Sequence, residues 1–164
     1  MQRRCWGWFD RTVTDPEDIR AWQRLSPAVT TSGRIEDKDI GRLAELGVAR
    51  VINLAMDDHP EALADEGVKL AERGISYTHI PVPFDAPEEA HYRAFVTAFE
   101  GSAAPVHVHC IANWRVSAFF YRYHRERGMD EAQARTLMER QWSPTTHSHP
   151  AARTWAAFIA ERKA

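Results

Sequence analysis

Apolar residues fall along this chain in two alternating patterns: short β-branched runs, and longer stretches whose apolar positions recur three and four apart. Val48-Ala49-Arg50-Val51-Ile52-Asn53-Leu54 is the clearest of the first kind and reads as a buried strand. The runs at 28–31, 75–82 and 106–109 share its character. Between them, 37–46, 61–73, 87–99 and 116–127 read as helices, with Gly47, Gly74 and Gly128 standing where a helix closes in a left-handed residue. Two more helices are expected at 130–141 and 151–162. Asp15-Pro16-Glu17-Asp18 has an acceptor at the cap, proline at the first position and acids in the first turn, so a helical extension is expected within residues 1–25. Strands alternating with helices imply a three-layer α/β/α fold around a mostly parallel central sheet of about four to five strands. No repeat or linker divides residues 1–164, which are read as a single domain.

Composition narrows the classes of function. Hydrophobic residues at 44% and charged residues at 27% are ordinary for a globular chain, and a net charge of −2 supplies no field for nucleic acid. No apolar stretch is long enough to span a bilayer. Met1-Gln2-Arg3-Arg4-Cys5-Trp6-Gly7-Trp8 has basic residues but no apolar core of a signal peptide, so a cytoplasmic location is expected, without nucleic-acid or membrane partners. The two cysteines, Cys5 and Cys110, lack a clustered set of further ligands, which argues against zinc; neither metal nor cofactor is expected.

Cys110 directly follows the strand 106–109 and precedes a helix. Ligands of such sheets bind beyond the carboxyl ends of the strands. A loop of successive N–H groups leading into a helix N-terminus suits an oxyanion, and the same field stabilises a thiolate. A structural cysteine buried at a strand end accounts for strand, cysteine and helix equally well.

The remainder of the loop, His109-Cys110-Ile111-Ala112-Asn113-Trp114-Arg115-Val116-Ser117, resembles the signature of the cysteine-dependent phosphatases, protein tyrosine and dual-specificity. There His-Cys opens a phosphate-cradling loop, glycine stands three residues after the cysteine, and Arg-Ser/Thr closes it. Asn113 occupies the glycine position, and asparagine tolerates positive φ better than most side chains. Upstream, Thr31-Ser32-Gly33-Arg34 and Leu43-Ala44-Glu45-Leu46-Gly47-Val48-Ala49-Arg50-Val51-Ile52-Asn53-Leu54 are similar to a bacterial phosphatase-like group related to the dual-specificity enzymes, so the resemblance spans roughly 26–160. It implies a protein tyrosine phosphatase-like fold and hydrolysis of phosphate monoesters, on a phosphorylated small molecule or a phosphoprotein. Cys110 would be the nucleophile, Arg115 and the amides of Ile111, Ala112, Asn113 and Trp114 the phosphate cradle. Ser117 would stabilise the departing thiolate and His109 would tune Cys110 from behind. The general acid would come from the loop after the preceding strand, where Asp85 is the only aspartate; a helix cap before Pro87 explains Asp85 as well, and Glu88 is a lesser candidate.

The loop departs from that signature at one point. The signature is C-x5-R and this loop is C-x4-R, with Val116 at the family's arginine position. One residue of helix is a rotation of about 100°, so Arg115 approaches an anion from another direction and slow turnover is expected. A six-residue loop also resembles that of rhodanese-type sulfurtransferases, which carry a persulfide on cysteine; a catalytically silent phosphate binder is a third reading. Elsewhere, His107, His109, His147 and His149 form no convincing metal set, Asp57, Asp58 and His59 follow a strand end on the same side of the sheet, and Trp114 either packs under the loop or walls its pocket. Trp22, Trp142, Trp155 and Phe158 are expected in the core.

Overall fold

A computed structural model describes residues 13–161; the expectations for Cys5 and the basic N-terminal stretch fall outside them. The elements run β1 (Gln23–Ser26), β2 (Val29–Ser32), α1 (Asp37–Glu45), β3 (Arg50–Asn53), α2 (Glu66–Ala71), β4 (Ser76–His79), α3 (Glu89–Glu100), β5 (Val106–His109), α4 (Trp114–Glu126), α5 (Glu131–Glu139) and α6 (Ala152–Ala160). The sheet has five strands in the order β1-β2-β5-β3-β4, all parallel except β1.

Alternation along the strands sorts the core onto two faces. Ile52, Val106 and Val108 point to one side, where they meet Tyr92 and Phe95 of α3, the buried first half of α4, Met138 of α5 and Trp155 and Phe158 of α6. Val51 points to the other, against Ile40 and Leu43 of α1 and Leu70 of α2. Helix α4 runs through the larger core, buried from Arg115 to Arg122. Helix starts follow local chemistry: Glu36 N–H donates to Asp39 Oδ2 at 2.8 Å, and Glu88 N–H to His91 Nδ1 at 3.0 Å. Gly47 closes α1 at φ 84°.

Two expected elements differ. Residues 15–25 form single turns and then β1, not a helix, because Ala21 breaks the path at φ 54° and Gln23 and Arg24 pair with Thr31 and Thr30 along the exposed edge of β2. Sheet pairing and the Asp15–Arg24 ion pair at 2.6 Å outweigh a good helix start. Residues 61–73 yield only the short α2, since Asp65 at φ 55° breaks the helical path before Glu66. Because β2, β3, β4 and β5 are parallel and in register at Ser32, Asn53, His79 and His109, their carboxyl ends lie side by side, and Cys110 emerges there.

Candidate active site

The chain leaves β5 and turns through Ile111 and Ala112 into α4 at Asn113, whose backbone is left-handed at φ 64°, ψ 12°. Three contacts fix the turn. Arg34 N–H donates to Ile111 O at 2.9 Å. Gly33 packs so closely that a Cβ there would lie 2.5 Å from the same carbonyl, an approach open only to glycine. Asn113 Nδ2 donates to Ala21 O at 2.9 Å and Thr31 Oγ1 at 3.0 Å. With the Ile111 carbonyl engaged by Arg34, the amides of Ile111, Ala112, Asn113, Trp114, Arg115 and Val116 have no acceptor among the described residues. Unpaired donors in succession at a helix N-terminus form an anion site.

A cavity of about 220 Å³ opens over this turn, lined by His59, Phe84, Ile111, Ala112, Trp114, Arg115 and His149, with no carboxylate among them. Arg115 donates through Nε to Val82 O at 2.7 Å, and its guanidinium lies 5.1 Å from the Phe84 ring centroid. Its two Nη groups make no hydrogen bond among the described residues. Trp114 stacks on Trp142 at 5.0 Å, Trp155 Nε1 donates to Phe84 O at 2.6 Å, and His149 meets Phe84 edge-on at 4.9 Å. Trp114 thus both packs under the loop and walls its pocket. Trp142, Trp155 and Phe158 are core as expected, whereas Trp22 stacks on His107 at 5.2 Å at the margin of the smaller core.

The candidate residues are not all at the cavity. Cys110 is wholly buried beneath the turn, among apolar neighbours. Val116, at the seven-residue spacing, points into the core, so an arginine there would be buried. Ser117 lies two residues beyond Arg115, about 200° around the helix. Its hydroxyl donates to Trp114 O at 3.2 Å, and the residue borders a narrow cleft with Gln23, Thr31 and Phe120. Contact between that hydroxyl and the thiol, as the resemblance implies, is not what this helix register produces. Asp85 is exposed on the turn next to Phe84 and does not line the cavity. The cap before α3 is Glu88, so capping does not account for Asp85. Asp57 and Asp58 face solvent, and His59 alone of that trio reaches the cavity. Among the described residues no group of three His, Cys, Asp or Glu is arranged to hold a metal, and no helix is long and apolar enough to cross a membrane.

Behind Cys110 lies a polar cluster that sequence reasoning missed. His109 Nδ1 is 3.1 Å from Cys110 O, and Nε2 is 2.5 Å from Glu66 Oε1. Asn53 Nδ2 donates to Glu66 Oε2 at 3.0 Å, while its Oδ1 accepts Ala55 N–H at 2.8 Å. Burial opposes charge on His109, but the Glu66 carboxylate, its hydrogen bond and the Cys110 carbonyl more than offset this and raise its pKa above the ordinary value. Burial and then the His109 charge hold the neighbouring His107 well below that value; its ring meets the hydroxyls of Thr30 and Ser32, which accommodate a neutral imidazole. Burial and the Glu66 charge push Tyr77 up to about 12. A glutamate on the apolar face of a helical stretch, between Leu63 and Leu70, was the available signal.

The family described as beta-lactamase hydrolase-like protein, phosphatase-like domain, matches residues 19–121. A candidate phosphatase (DUF442) from Shewanella putrefaciens CN-32 is 31% identical, with 88% of this chain and 91% of that one aligned at a TM-score of 0.74. TpbA from P. aeruginosa is 19% identical over 92% of this chain and 88% of its own, with a TM-score of 0.68. The core catalytic domain of the PP-IP phosphatase SIW14 from S. cerevisiae, in complex with citrate, is 13% identical over 88% of each chain, with a TM-score of 0.70. No curated protein matches.

Proposed function

The chain belongs to the phosphatase-like domain family of beta-lactamase hydrolase-like proteins, and from that premise we propose that it hydrolyses phosphate monoesters through a phosphocysteine on Cys110. The observation that carries the proposal is the run of unpaired amides from Ile111 to Val116 beside the unengaged Nη groups of Arg115, in a cavity free of carboxylates. A phosphoryl group seated there has its equatorial oxygens met by N–H donors placed in advance, which is how such transfers are accelerated.

In the first step the Cys110 thiolate attacks phosphorus, the ester oxygen leaves with the bond pair, and Asp85 supplies its proton. In the second, water attacks the phosphocysteine, a proton returns to Asp85, and inorganic phosphate departs with the thiolate restored. His109, behind the cysteine, favours the thiolate. The chemistry requires Cys110 Sγ to rise from beneath Ile111 and Ala112 to the cavity floor, and Asp85 to swing in from the rim; anion binding to the turn supplies the driving force for both. A phosphorylated small molecule or a phosphoprotein is the substrate class. TpbA has been crystallised with pTyr, which supports a ligand bearing a phosphoryl group on an aromatic ring as the first probe.

The six-residue span from Cys110 to Arg115 favours one second reading, sulfur transfer through a persulfide on Cys110. Turnover of an aryl phosphate and of thiosulfate, each with wild type and Cys110→Ser, separates the two. Phosphate release lost in the variant supports the phosphatase; thiosulfate turnover alone replaces it, and phosphate binding without turnover of either identifies a silent binder.

A further inference from the structure

The buried pair behind Cys110 does more than fill space. Both neighbours of the His109 ring, a carboxylate and a backbone carbonyl, accept hydrogen bonds. A ring facing two acceptors must donate from both nitrogens, and only the imidazolium does so. Glu66 in turn meets only donors. The Asn53 amide is fixed by Ala55 N–H, so its Nδ2 faces Glu66 Oε2, and the Tyr77 hydroxyl stands 3.4 Å from the same oxygen. Glu66 and His109 are each about 5% exposed or less. A buried carboxylate is costly, and packing alone is served as well by glutamine or leucine.

We propose that Glu66 is a positioning residue: it holds His109 as an imidazolium whose Nδ1–H rests on the Cys110 carbonyl, so that a fixed positive charge stands behind the Cys110 thiolate. The pair is electrically neutral but oriented, with its positive end toward Cys110 and its negative end toward Asn53 and Tyr77. Other charged groups do not replace it. Arg34 and Glu61, which share the narrow cleft over Cys110, pair with each other at 3.6 Å. His107, whose ring centroid is 6.1 Å from that of His109, is held neutral. The inference rests on the reading of Cys110 as a nucleophile, but its test does not need turnover.

The experiment is a titration of thiolate absorbance on the full chain, with Cys110→Ser subtracted to remove Cys5. Glu66→Gln should raise the Cys110 midpoint by about one pH unit, the lower end of what one neighbouring charge does, and so leave about tenfold less thiolate below the midpoint. Glu66→Asp should restore part of the shift. In a His109→Gln background, Glu66→Gln should add nothing. A folded Glu66→Gln with an unchanged midpoint overturns the proposal. Nitrogen NMR of the wild-type ring needs no variant: both His109 nitrogens protonated at neutral pH is the expected result, and a neutral ring overturns it. Normal phosphate turnover with no Glu66-dependent shift sinks only the role of Glu66. A Glu66-dependent shift in a protein that hydrolyses no phosphate ester sinks only the phosphatase reading.

Discussion

Replacing Asn113 by glycine and, separately, by alanine divides what this residue does for the loop into two measurable parts. Its backbone at φ 64°, ψ 12° is left-handed, a conformation that costs an ordinary L-residue roughly 1–2 kcal/mol relative to glycine. Its side chain makes two hydrogen bonds, at 2.9 and 3.0 Å, each contributing about 0.5–1.5 kcal/mol. The Oδ1 atom is buried without a partner, which takes back part of that gain. Glycine keeps the backbone and loses the hydrogen bonds, so it should destabilise the fold by about 1 kcal/mol. Alanine loses both, and should fall about 1–2 kcal/mol below the glycine variant. Urea unfolding measures the differences, provided the denaturant slope is the same for all three proteins. Because the turn also aims the six amides, the alanine variant should bind phosphate more weakly than the glycine variant. Equal stability for the two variants refutes the claim that a left-handed residue begins α4, and glycine as stable as asparagine refutes the anchoring role of the side chain.

Arg115→Lys removes the Nε–H bond to Val82 O and the planar fork together, and should weaken phosphate binding by about tenfold, the value of one charge-assisted hydrogen bond; calorimetry showing unchanged affinity excludes Arg115 from the anion site. Asp85→Asn should slow esters with poor leaving groups more than those with good ones, since only the former need a proton, and equal slowing of both removes Asp85 from the mechanism. His107, held neutral in the fold, takes up a proton below about 6.5 in the unfolded chain, so stability should fall as pH drops below that value, by at most about 1.4 kcal/mol per unit. His109 works in the opposite sense: its raised pKa gives a contribution fully present below 6.5 and lost as pH rises through the folded value. Urea midpoints between about pH 5 and 8 should therefore lose their acid-side slope in His107→Gln, and a slope that survives assigns it to other groups.

Much of this was legible in the chain because the signals are local. The β-branched runs place β3 and β5 within a few residues, and the asparagine in a glycine position announces a left-handed residue where φ is 64°. The errors come from interactions between distant segments. Asp15-Pro16-Glu17-Asp18 starts a helix in isolation, but the open edge of β2 recruits Gln23 and Arg24 into β1. Ser117 matches the signature by count, yet α4 begins at Trp114 and its register carries the hydroxyl round to the Trp114 carbonyl. Glu66 was invisible for the opposite reason: a glutamate in a helix is unremarkable until the fold brings His109, forty-three positions away, against it.

The most direct test of the account is rapid acid quenching of the wild-type protein during turnover of a radiolabelled aryl phosphate, followed by peptide mapping. The account predicts acid-trapped phosphate on the peptide containing Cys110, formed and consumed at rates consistent with steady-state turnover, and no label in Cys110→Ser. Phosphate release at the full rate without label on that peptide, or release that survives Cys110→Ser, contradicts it.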